Sequence, residues 1–323
     1  MLLSNALLGR ALENYVSKMS RSLRLRNRSK SRVTRSRKLF AETLESRRLL
    51  TGDFEWAKGL SGVGNEAGND IAVDASGNVY TTGHFDSTVD FNPGAGIFNL
   101  TSFGNDDAYI SKVDSAGNFV WAKKIGGSSF DTGWRIALDV DGNVYISGTF
   151  EGTADFDPGA AVYQLTSAGS WDMFVLKLDV AGNFVWAKKM GSTDNDEAYA
   201  ITVDQSSNVY LTGYFNGTVD FDPSAGVSNL TTAGSYDIFV SKLDSAGNFV
   251  WAKSLGGTSA ELGNDIAVDA IGNVYTTGFY FGTVDFAPGA SVYSLTSMGE
   301  RDVFVSALDS SGDFVWADRK SVV

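Results

Sequence analysis

Asp237-Ile-Phe-Val-Ser-Lys-Leu-Asp-Ser-Ala-Gly-Asn-Phe-Val-Trp-Ala-Lys253 places two short apolar runs on either side of an Asp-Ser-Ala-Gly-Asn turn. Asp suits the first position of such a turn because its carboxylate accepts bonds from backbone N–H groups just ahead of it, and Gly supplies the positive φ. The stretch reads as a hairpin, with strand C from Asp237 to Asp244 and strand D from Asn248 to Lys253. Neither strand alternates: Phe239 and Val240 adjoin, as do Phe249, Val250 and Trp251. A strand with one wet face would alternate, so these strands are read as buried on both faces.

Outward from this hairpin the chain repeats itself. Trp56, Trp121, Trp186, Trp251 and Trp316 are evenly spaced, and the four prolines of the chain, Pro93, Pro158, Pro223 and Pro288, keep the same 65-residue step. A second turn pattern, Asp74-x-x-Gly77-Asn78-Val79-Tyr80, recurs from Asp139, Asp204 and Asp269, with Ser207 once in place of Gly. It joins strand A (Ile71 to Asp74) to strand B (Asn78 to Phe85). The connection from B to C is too long for a structureless loop and contains Gly-Thr-Val-Asp-Phe-like segments, so a short extra hairpin is expected there. One 65-residue unit cannot bury both sheet faces alone, and the copies must stack. The fold class is all-β: a β-propeller, or an open propeller arc, of four 65-residue blades with about four antiparallel strands each, after a disordered or helical basic N-terminal segment. The domain boundaries are 1–52, 53–318 and a tail at 319–323. Five D-type segments against four complete A–B–C sets leave one surplus, so either four blades close or an open arc self-associates.

The formal charge of −12 is split. Residues 1–50 hold 13 Lys/Arg and 3 Asp/Glu, whereas the remainder holds 13 basic and 35 acidic residues. So acidic a body repels phosphate backbones, and no nucleic-acid partner is expected. With no cysteine, disulfides, thiolate metal sites and cysteine nucleophiles are excluded. No apolar run is long enough for a transmembrane helix. Residues 19–38 form a Ser/Arg-rich tract of disordered type, and either Met1 or Met19 serves as the start.

The pattern D-I-A-V-D-x-x-G-N-V-Y-x-T-G, then G-T-V-D-F, then D-I-F-V-S-K-L-D-S-A-G-N-F-V-W-A-K resembles SBBP repeats of bacterial β-propellers, over residues 53–317. The resemblance implies the fold and carries no defined activity; this chain holds four copies where the type has seven. Phe40-Ala-Glu-Thr-Leu-Glu-Ser-Arg-Arg-Leu-Leu50, after its basic tract, is similar to the LEPR-XLL segment of exported bacterial proteins, with Ser46 in place of the usual proline. That similarity implies an extracellular or cell-surface location.

Few residues carry chemistry. The single histidine, His84, has Thr149, Tyr214 and Phe279 as its counterparts, so the fold does not require an imidazole there. The Asp-Val-Asp-Gly-Asn run at 139–143 lacks the Gly and Glu spacing of an EF-hand and reads as a turn. Asp90, Asp155, Asp220 and Asp285 recur identically, which favours a structural role over the unequal pair a glycosidase needs. Trp134 and Trp171 are copy-specific and are candidates for recognition. Glu66, Asp131, Asp196 and Glu261 occupy one position in each copy. If strand A lines the axis they form a carboxylate ring at the channel mouth, and calcium, with Asp194 adding an oxygen beside Asp196, would compensate it; solvated surface acids are the alternative. The reading is a non-catalytic binding or scaffold propeller, without catalytic residues, whose partner is a protein or a glycan at the cell surface. A cation-dependent polysaccharide hydrolase or lyase, and a truncated gene product without independent function, are the alternatives.

Overall fold

The computed structural model describes residues 55–319, which belong to the unit Phe54–Val323. The expectations about the N-terminal segment fall outside the described residues. Within them every regular element is a strand. Blade 1 consists of Glu66–Val73, Val79–Phe85, Asp107–Val113 and Phe119–Gly127, as strands A to D of one antiparallel meander. Blade 2 consists of Asp131–Leu138, Val144–Asp155, Gln164–Leu178 and Phe184–Met190. Blade 3 is Glu197–Val203, Val209–Phe215, Asp237–Leu243 and Phe249–Gly257, and blade 4 is Leu262–Val268, Val274–Tyr280, Asp302–Leu308 and Phe314–Arg319.

Both turn types work as their residues dictate. Asp74 Oδ1 accepts the Ser76 and Asn78 N–H groups, each at 2.9 Å, and its Oδ2 accepts the Asn78 amide at 2.7 Å. Asp114 repeats this in the C–D turn with Ala116 and Asn118. Gly117 there serves twice: its φ is 75°, and a Cβ would sit 3.0 Å from the Trp56 ring. The same approach joins Trp121 to Gly182, Trp186 to Gly247 and Trp251 to Gly312. The first four of the five repeated tryptophans thus pack on the next copy's C–D turn. The indole N–H groups of Trp56, Trp186 and Trp251 also donate to the carbonyls of Ser115, Ser245 and Ser310. Sequestering such a ring between blades contributes on the order of 2–3 kcal/mol.

Two features differ from the sequence reading. Strand A begins at Glu66, not at Ile71, because a one-residue bulge at Asn69 lets Glu66 to Gly68 stay paired with Gly83 to Phe85. The apolar signal marks only the half after the bulge. Residues 55–60 are not a strand, although Trp56 is placed like its counterparts; among the described residues there is no strand C for them to pair with.

The expected extra hairpin is present, as Thr88–Asp90 against Asn99–Thr101 in blade 1. Asp90 Oδ1 closes it by accepting the Asn92 and Phe98 N–H groups, and Asp155, Asp220 and Asp285 do the same in their copies. These aspartates are structural. The hairpin also leans on the preceding copy: Gly126 and Gly127 pair with Asp155 and Ala154. Among the described residues the sheets do not close into a ring, and Ile71 in blade 1 and Val303 and Val305 in blade 4 are exposed.

Candidate ligand-binding face

The bulge recurs in every strand A and leaves Asn69, Trp134, Tyr199 and Asn264 outside the ladder. A bulge re-aims the side chain of the residue it inserts, so one repeat position is free to vary without disturbing pairing. Asn69 uses this freedom to donate to the Gly133 carbonyl at 2.9 Å. In blades 2 and 3 the position is aromatic. The Trp134 ring meets Tyr199 edge-on at 6.0 Å, Tyr199 meets Tyr214 at 5.7 Å, and Tyr214 meets Tyr236 at 4.8 Å.

This chain of rings surrounds one acid. Glu197 is buried, and its Oε1 accepts the Tyr214 hydroxyl at 2.6 Å. Burial first, and then the Glu197 carboxylate, hold the hydroxyls of Tyr199 and Tyr214 well above the ordinary tyrosine range, so both remain donors. Ala67, Thr132 and Leu262 stand where Glu197 does in the other copies. Blade 4 has its own variant, the Arg301 guanidinium 4.8 Å from the centre of the Phe279 ring. Among the described aromatic contacts, Trp134 joins this cluster and Trp171 does not; Trp171 stands apart, 37% exposed, beside Glu151 on strand B. Tyr199, Tyr214, Tyr236 and Glu197 were not picked out by sequence reasoning. Their signal was that blade 3 departs from its siblings at four repeat positions together.

The four repeated acids do not share one environment. Glu66 is exposed, whereas Asp131, Asp196 and Glu261 are buried to 2%, 0% and 0%. Among the described residues no three His, Cys, Asp or Glu side chains are grouped to hold a metal, and Asp131, Asp196 and Glu261 each lie at their own blade junction. Asp194 is exposed and its N–H bonds Ser192. The physical reason is that each acid turns inward to cap its own D–A connection. Asp131 Oδ2 accepts the Gly127 N–H at 2.7 Å, Asp196 accepts those of Ser192 and Asn216, and Glu261 accepts that of Gly257.

Each buried acid lies beside a second one, the first residue of strand C in the preceding blade. A Cβ placed on Gly126 would meet Asp107 Oδ1 at 2.9 Å and Asp131 Oδ2 at 2.8 Å, which brackets the first pair. Lys124 reaches Asp107 at 3.8 Å and Lys189 reaches Asp172 at 3.2 Å, but in blade 3 Ser254 takes that place and bonds Asp237. Burial, the dominant cause, pushes Asp107, Asp131 and Glu261 up to about 7 and Asp196 up to about 6. His84 Nδ1 is buried without a hydrogen-bond partner.

Residues 185–219, from strand D of blade 2 to the start of the blade 3 hairpin, match the family model described as SBBP, beta-propeller repeat. This match to one repeat agrees with the observed fold, an all-β array of propeller-type blades. This propeller chain is 26% identical over 228 residues to the uncharacterized WD repeat-containing protein L264 of Acanthamoeba polyphaga mimivirus, covering 61% of the chain and 16% of that relative. It is 28% identical over 127 residues to the regulatory protein FlaEY of Caulobacter vibrioides, covering 38% of the chain and 13% of that relative. The propeller chain thus spans less than a fifth of either curated relative. A crystal structure of a protein of unknown function from Bacteroides caccae aligns with a TM-score of 0.32 at 11% identity, over 79% of this chain and 82% of that one, a likeness that carries no argument. At the general level, the fold is a scaffold of stacked repeats.

Proposed function

We propose that this propeller is a non-catalytic binding module of the bacterial cell surface or exterior, and that it holds a glycan or protein ligand on the divergent end of blades 2 and 3. The observation that carries this reading is the Trp134–Tyr199–Tyr214–Tyr236 chain around buried Glu197. Variable side chains on a rigid repeated frame are where recognition resides, and aromatic faces combined with fixed hydroxyl donors and a carboxylate orient a polar ligand. The exterior location rests on the basic tract and the Phe40–Leu50 segment. Tryptophan fluorescence titrated with cell-wall glycan fractions and surface-protein extracts tests the site. Trp134→Ala and Tyr199→Ala should each weaken binding about tenfold, whereas Asn264→Ala should not. Equal binding by all three variants would remove the site.

A cation at the blade junctions is a second reading, favoured by buried oxygens without hydrogen-bond partners on Asp107, Asp131, Asp237 and Glu261. The Asp237–Glu261 junction is the strongest candidate because no lysine faces it. Calcium bound there takes two carboxylates and backbone carbonyls, and stabilises the folded state by mass action. Calcium should raise the melting temperature at pH 8 and lose that effect in Glu261→Gln. An unchanged melting temperature in the parent protein would leave protons as the only compensation.

A further inference from the structure

Three blade junctions inside the chain show what covers each sheet face, and the two outermost faces leave those surfaces open, apart from the C–D turn of blade 1 that Trp56 and Lys58 cover. The incoming face of each later blade buries a strand A isoleucine: Ile136, Ile201 and Ile266 are 6%, 8% and 7% exposed, whereas Ile71 is 62% exposed. On the outgoing side, Ile238 and Val240 are fully buried in blade 3, but their counterparts Val303 and Val305 in blade 4 are 59% and 40% exposed. Trp251 is buried at 9%, and Trp316 is exposed at 42%.

A polar key at the junction identifies the occupant. Between blades 1 and 2, Asp70 Oδ2 accepts the Ile136 N–H at 2.9 Å and Asn69 donates to the Gly133 carbonyl at 2.9 Å. Blades 2 and 3 have discarded this key, carrying Trp134-Arg135 and Tyr199-Ala200 instead. Blade 4 restores it as Asn264-Asp265, and both residues are exposed. The matching lock, Gly133-x-x-Ile136, recurs as Gly68-x-x-Ile71 on the open face of blade 1. Shape agrees with chemistry. Gly133 lies so close to Thr82 that a Cβ would sit 2.2 Å from its hydroxyl, and Gly263 is as close to Thr212. The corresponding Thr277 in blade 4 is half-exposed, and with Asp265, Ile266 and Val305 it borders a concavity of about 290 Å³. Exposed Gly68 is the residue that fits there.

We propose that the outgoing face of blade 4 docks on the incoming face of blade 1 of a second copy of this chain, head to tail, by reproducing the junction between blades 1 and 2. In the docked pair Asp265 accepts the Ile71 N–H, Asn264 donates to the Gly68 carbonyl, and Val303 and Val305 cover Ile71 and Val73. Trp316 displaces Trp56 from the Ser115 carbonyl and takes the place that Trp186 and Trp251 hold on the blade after their own. The interface is heterologous, using two different patches, so copies join in a row or a ring and never face to face through one patch.

Sedimentation velocity on the full chain over a concentration series tests this. The parent protein should associate with rising concentration. Ile71→Asp, which spoils the head, and Val305→Asp, which spoils the tail, should each sediment as monomers with unchanged melting temperatures, since both side chains are exposed in the monomer. An equimolar mixture of the two should form a heterodimer and go no further, because one sound tail and one sound head remain. Asp265→Ala should weaken association roughly tenfold. A monomeric parent, a monomeric mixture, or self-association of Ile71→Asp alone would each overturn the proposal.

Discussion

Ile71 and Ile136 are the same residue in the same strand of successive repeats, yet one is wet and the other is sealed. The outer blades and the inner blades differ little in sequence; they differ in having a neighbour on each side. Burial in a repeat protein is therefore a property of the junction and not of the repeat. The largest test of this comparison is a charge placed at each site. Ile136→Asp should cost about 3–4 kcal/mol, since it forces an unpaired carboxylate between blades, whereas Ile71→Asp should stay within about 0.5 kcal/mol in the monomer. Urea midpoints of the two variants measure the contrast.

The repeated tryptophan gives the next test. Trp251→Ala should destabilise by about 3 kcal/mol through the void left against Gly312, and Trp316→Ala by less than about 1 kcal/mol. Equal losses would mean that the outer face of blade 4 is covered in solution, which sharpens the docking proposal.

A smaller effect separates the acids. Asp131 and Asp107 are pushed up to about 7 by burial, whereas an unfolded aspartate titrates near 3.8. Between those values the folded chain holds protons that the unfolded chain has released. Stability should therefore fall as pH rises from about 4 to about 7 and level off above. The turn aspartates act in the opposite sense. Burial disfavours ionisation of Asp139, but bonds from Asn143, Tyr145 and Ser207 outweigh it and hold its carboxyl below the ordinary value. Their contribution is lost only as pH falls below about 4. Asp131→Asn should then stabilise at pH 8 by about 1–2 kcal/mol, and Glu66→Gln, on the open face, should change little. Melting temperatures at pH 5 and pH 8 check both signs.

The blades and their turns were legible because each rests on local chemistry that recurs at a fixed interval: Asp-x-x-Gly-Asn for the hairpins, contiguous apolar residues for two-sided strands. The extra hairpin was legible from its length and from its repeated Asp-Phe. The start of strand A was not, since bulged and polar residues before Ile71 carry no period-2 pattern, and only pairing with strand B defines them. One residue of the candidate site was visible as well. Trp134 stood out as copy-specific, but Tyr199, Tyr214 and Glu197 became a site only when adjacent blades brought their divergent positions together.

The sequence by itself determined the unit: its length, its strand order and the residues that turn it, because hairpins depend on neighbours a few residues away. The tertiary structure alone decided which copies of one residue are buried. It buried Asp131, Asp196 and Glu261 at the blade junctions while Glu66 stayed exposed, and left Ile71 and Val305 uncovered at opposite ends. Those outcomes depend on which surface lies across the junction, and identical repeats carry no record of their neighbours.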